Sequence, residues 1–137
     1  MAVVRNRECR AGSAAVEFAI VGPVLILILM GLVVYGGWFW LAQSVQSVAT
    51  ETARAAVGGL DDRERQTMAQ AYFNDVISDT AGLDPSKAAV VVGTDAMTIR
   101  VRVSYDAREH PVMSMAGLVP SPPPIIERQA VVRIGGY

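Results

Sequence analysis

The sequence predicts an α+β chain: a long amino-terminal helix, part transmembrane and part exported, a second amphipathic helix, and a small three-stranded antiparallel sheet. Three observations carry that prediction. Residues 18–42 hold no charge, amide or hydroxyl apart from the phenol of Tyr35. Apolar residues recur at helical spacing between positions 68 and 77, and beyond Pro85 the period changes to two.

Composition removes several function classes. With 12 Lys and Arg against 13 Asp and Glu, the net charge is −1, so the basic excess of a nucleic-acid binder is missing. One cysteine cannot close an internal disulfide, and one cysteine with one histidine cannot build a protein-only zinc site. Cys9 lies in a charged tail that offers no pocket for a Cys–His pair. No catalytic, metal or cofactor-binding residues are nominated, no small-molecule substrate is evident, and an enzyme is not expected.

The apolar run has the length of a membrane span. Its 25 residues reach roughly 37 Å as a helix, against a hydrocarbon core of about 30 Å. Tyr35, Trp38, Phe39 and Trp40 crowd its far end. Such rings gather at the headgroup level; as an interfacial belt they would confine the hydrocarbon section to residues 18–37. Packing between helices is the other reading of the cluster. Arg5, Arg7 and Arg10 precede the run with a single acid, Glu8, whereas the first basic residue beyond it is Arg54. The positive-inside rule then places the amino terminus in the cytoplasm and residues 43–137 outside, as a single pass.

Three readings compete for the amino terminus. A cleaved secretory signal would have a core of about 7–15 residues, shorter than this one, and the small-x-small site Ala53-Arg54-Ala55 lies well beyond the run. A plain single-pass anchor, carrying an envelope binding module that never assembles, explains everything but Glu17, which would then merely complement the helix dipole. The third reading starts from Arg10-Ala11-Gly12-Ser13-Ala14-Ala15-Val16-Glu17-Phe18. This basic leader ending in glycine, with an acid five residues on, resembles the prepilin leaders cut by a membrane aspartyl peptidase on the cytoplasmic face. The Glu-Phe pair and its small neighbours are most similar to the tight-adherence (Tad/Flp) pilins. Glu51-Thr52-Ala53-Arg54-Ala55-Ala56 further resembles the Ala-Arg segment after the span of TadE-like proteins, with Thr52 where glycine is usual.

The resemblance implies a pilin-like fold and a TadE-like minor pilin of the bacterial cytoplasmic membrane. Gly12 would be the last leader residue and Ser13 the mature amino terminus, with Glu17 and Phe18 docking a neighbouring subunit. The implied partners are the prepilin peptidase, other minor pilins, the major pilin, the membrane assembly platform and the lipid bilayer. The expected organisation is a leader at 1–12, a long helix at 13–59 with its span about 18–42, and an exported α+β domain at 60–137.

The exported elements read in order. Val45, Val48, Ala49, Thr52, Ala53 and Ala56 continue the helix above the membrane until Gly58-Gly59, with Pro23 predicting a kink or loosened turn inside the span. Asp61 with Glu64 reads as a capping box. Met68, Ala69, Tyr72, Phe73, Val76 and Ile77 form the core stripe of the second helix, stopped at Gly82. Residues 88–92 form a first strand and 93–95 a turn. Met97, Ile99, Val101, Val103 and Tyr105 alternate with polar residues in a second strand. Ile126, Ala130, Val132 and Ile134 face inward in a third, where Arg128 interrupts the inner row and suggests a sheet edge. The upper helix is expected to complete a core that 78 residues beyond Gly59 can barely supply alone.

Residues 106–124 form a loop long enough to be either functional or held down by packing. Met113, Met115, Leu118 and Val119 within it read as a cap on the open core or as a subunit contact. His110 in Glu109-His110-Pro111 reads as a loop histidine beside a turn, and Arg100, Arg102, Arg108, Arg128 and Arg133 as a solvated charged surface.

Overall fold

The computed structural model describes the backbone of residues 5–135 and the side chains from residue 12 onward. The side chains of residues 1–11, Cys9 among them, lie outside the described residues. Helix α1 spans Arg5–Ala56, 52 residues, so the helix extends upstream of residue 13, where the long helix was expected to begin. It runs unbroken past Pro23. Three i→i−3 bonds close its upper end, from the amides of Val57, Gly58 and Gly59 to Arg54, Ala55 and Ala56. Gly59 is required there because a Cβ would lie 2.7 Å from the backbone nitrogen of Arg65.

Helix α2 spans Asp62–Asp79 and starts as the capping pattern predicts. Asp61 Oδ1 accepts from the Glu64 amide at 2.7 Å, while Glu64 Oε2 accepts from the Leu60 amide at 2.8 Å, so two orphan donors are satisfied reciprocally. Its buried stripe is narrower than expected: Ala69, Phe73 and Ile77 are buried, whereas Met68 and Tyr72 remain over a third exposed. The helix is an outer layer that meets both β1 and α1 along one line.

Strands β1 (Ala88–Thr94), β2 (Thr98–Asp106) and β3 (Ile125–Arg133) form one antiparallel sheet in that order. The register opposes Val103 to Val90 and Arg128, and Val101 to Val92 and Ala130. β2 is central, and Ile99, Val101, Val103 and Tyr105 are fully or almost fully buried. Met97 departs from the expected row. It sits in the β1–β2 turn, beyond the part of the sheet that the helices cover, and is 72% exposed. β3 is an edge strand, and Arg128 on its inner face lies half-buried with its guanidinium 6.0 Å from the Trp38 ring centre.

One layer of helix covers the sheet. Leu41, Ala42, Val45, Val48, Ala49, Ala53 and Ala56 of α1 are buried against β2, β3 and α2. Small residues on this face let the helix axis approach the sheet closely. Burying a valine or leucine contributes about 1.5–3 kcal/mol, so Leu41, Val45 and Val48 alone supply an amount comparable with the net stability of a small domain, about 5–15 kcal/mol. The sheet and α2 therefore have no complete core without α1.

Candidate functional site

The helix divides into a bare part and a covered part. Residues 12–29 are exposed on every side except the half-buried Gly22; burial begins at Met30 and Gly31 and is complete at Val34. α1 is long and apolar enough to cross a membrane, and between Arg10 and Glu51 its one charge is Glu17.

The four residues nominated near the leader sit together at the lower end of this bare section. None of the described residues lies within 4 Å of where a Cβ on Gly12 would stand. The Ser13 hydroxyl donates to Glu17 Oε1 at 3.3 Å, because side chains four apart share a helix face. Phe18 is 77% exposed and its ring rests beside Gly22. The arrangement is an apolar rod displaying one carboxylate within a turn and a half of Gly12.

The four aromatics lie about 27–35 Å further up the helix axis than Glu17, and the structure gives each of them a specific partner. The Tyr35 hydroxyl donates to the Pro120 carbonyl at 3.0 Å, and Trp38 Nε1 donates to the Pro123 carbonyl at 2.9 Å. Phe39 meets the Trp38 ring edge-on at 5.3 Å. Trp40 lies across Gly82, where a Cβ would stand 2.6 Å from its ring. Gly82 also adopts φ +81°, so both the backbone and the indole demand glycine.

These ties explain the long loop. Within it α3 (Pro111–Ser114) is followed by a 3₁₀ turn at Met115–Leu118, and both contact α1. His110 caps α3, its Nδ1 accepting from the Val112 amide at 3.3 Å. Val112 in turn fills the space beside Gly37, where a Cβ would stand 2.8 Å from its Cγ2. The sequence signals for this docking are Gly37 in the aromatic cluster and the absence of any charge across residues 111–126; neither was used to place the loop.

A charged cleft of about 350 Å³ opens nearby, lined by Lys87, Asp106, Arg108 and Glu109. Its charges are mutually paired: Lys87 Nζ to Glu109 at 2.6 Å and Arg108 to Asp106 at 2.6 Å. Hydrogen bonds from Arg108 hold the Asp106 carboxyl down at about 2, and the Glu109 contact raises Lys87 above its ordinary value. The four charges thus neutralise one another in two solvated pairs. Among the described residues no three His, Cys, Asp or Glu side chains gather to hold a metal.

The bare helix and its lone carboxylate fall in the part of the chain that is similar to a known family. Residues 12–54 match the TadE-like protein family. This TadE-like segment starts at Gly12, covers Glu17, Phe18 and all four aromatics, and ends at Arg54 in the Ala-Arg segment. No curated protein and no solved structure matches the chain. The sheet and α2 lie beyond the TadE-like match.

Proposed function

We propose that this chain is a minor pilin, cut after Gly12 by a prepilin peptidase at the cytoplasmic face and assembled through α1 into a Tad/Flp-type pilus or related secretion apparatus. The observation that carries the reading is the bare section of α1, whose one charged side chain, Glu17, lies close to Gly12. Cleavage removes Arg5, Arg7 and Arg10, which otherwise hold the helix end in the cytoplasm, and creates an α-amine at Ser13. The scissile bond lies within a helix, and glycine weakens a helix by about 1 kcal/mol relative to alanine, which eases local unwinding for a protease.

An acid drawn into lipid costs on the order of 2.5–3.5 kcal/mol on the milder insertion scale. The amine of a staggered neighbour supplies a partner that offsets this cost, so Glu17 selects a docked over an isolated subunit. The partners are accordingly the peptidase, other minor pilins, the major pilin and the assembly platform, with the sheet side of the chain outside the cytoplasmic membrane.

Intact mass of the membrane-extracted chain, produced with its cognate peptidase, tests the processing step. A mature chain beginning at Ser13, abolished by Gly12→Ala, is expected. An uncut chain beside active peptidase overturns the proposal in favour of an unprocessed anchor. Glu17→Gln is expected to insert normally but to lose incorporation with partner subunits; unchanged incorporation removes the docking role.

A further inference from the structure

We infer that residues 111–125 form a second membrane contact, an apolar foot resting in the boundary between headgroups and acyl chains of the outer leaflet beside the span. The inference rests on α1 crossing the membrane, as proposed above, but not on cleavage or assembly. Helix length supplies the first argument. If Glu17 stays at the inner boundary, a hydrocarbon core of about 30 Å takes up about 20 residues of helix, from 18 to 37. The loop is fastened to α1 within that last turn and at its edge, by Tyr35, Gly37 and Trp38. The bare helix is too short to hold the loop clear of the bilayer.

Chemistry supplies the second. Residues 111–126 carry no charge, and Leu118, Met115 and Ile125 are 68%, 44% and 45% exposed. Lipid tolerates irregular backbone only where its polar groups are satisfied, and several of the loop's are. Pro111, Pro120, Pro122, Pro123 and Pro124 have no N–H to satisfy. The carbonyls of Pro120, Pro123 and Pro124 accept from Tyr35, Trp38 and the Ala107 amide. The amides of Val112, Met113 and Val119 are likewise bonded within the loop. A water-facing loop has no need of such economy.

The test uses the full chain carrying Cys9→Ser, reconstituted in vesicles of phosphatidylethanolamine and phosphatidylglycerol. An environment-sensitive fluorophore is attached in turn through Leu118→Cys, Leu25→Cys on the bare helix and Val91→Cys on the outer sheet face. Doxyl-labelled lipid is expected to quench the probes at 118 and 25, with shallow labels most effective at 118, while the probe at 91 responds only to aqueous iodide. Quenching at 25 together with free iodide access at 118 overturns the foot and leaves the span intact. A probe at 118 shielded from both quenchers means that protein covers the loop, which also overturns the inference. No lipid quenching at 25 removes the span and the foot together.

Discussion

Replacing Gly82 by alanine tests whether Trp40 belongs to the folded domain or to the lipid surface. The residue holds φ +81°, which costs an L-residue roughly 1–2 kcal/mol. The added Cβ would also stand 2.6 and 2.7 Å from two atoms of the Trp40 ring, and forced overpacking of this kind costs about 1–3 kcal/mol. Together these give a loss of about 2–5 kcal/mol, a large share of a small domain's stability. Trp40→Ala alone is expected to cost about 2 kcal/mol, below the core range for tryptophan, because the ring is 52% exposed. In the double variant the steric part vanishes while the backbone part remains, so the two losses are sub-additive by about 1–3 kcal/mol. Urea unfolding of the full chain in detergent micelles, followed through Trp38, measures all three. Strict additivity, or a loss below about 0.5 kcal/mol for Gly82→Ala, would refute the reasoning and free Trp40 to sit among headgroups.

Two further predictions concern single polar groups. Thr52 is fully buried and its hydroxyl has no hydrogen-bond partner among the described residues, so Thr52→Val should raise stability by about 1–2 kcal/mol; a loss in the same urea assay would show that the hydroxyl is bonded, the Val48 carbonyl one turn below being the nearest type of acceptor. Asp106 should titrate at about 2, below its ordinary 3.8; since the folded value is depressed, its contribution to stability is present above about 4 and is lost as pH falls through about 2. Carboxyl NMR titration checks this, with Arg108→Gln expected to return the midpoint towards 3.8 and an unmoved midpoint refuting the role of Arg108.

Much of the fold was legible because its signals are local or strictly periodic. An uncharged run, an acid cap with its Glu64 and a row of alternating valines each have one favourable solution. The interruption at Arg128 was visible as an anomaly, but its resolution needed Trp38, ninety residues away in sequence and beside it in space. The loop was opaque for a different reason. Its anchors are the carbonyls of Pro120 and Pro123, and a backbone acceptor leaves no side-chain signature. His110 likewise serves through a lone pair directed at an amide two residues on. For the candidate site, the order Gly12, Ser13, Glu17, Phe18 was readable as a pattern, and the structure adds that they occupy a stretch of helix that none of the other described elements covers.

Anchor and core wall are the same helix, so there is no joint at the membrane surface. The sheet's bearing around the helix is fixed by which positions from 41 to 56 are small and buried. Tension drawn along the rod enters β2 and β3 in shear, spread over about 24 Å of contact, where a flexible linker would peel the domain from one end. A chain of this build transmits pull and rotation without slack, and a cut at Ala55, for instance, would release a sheet stripped of the surface it folds against.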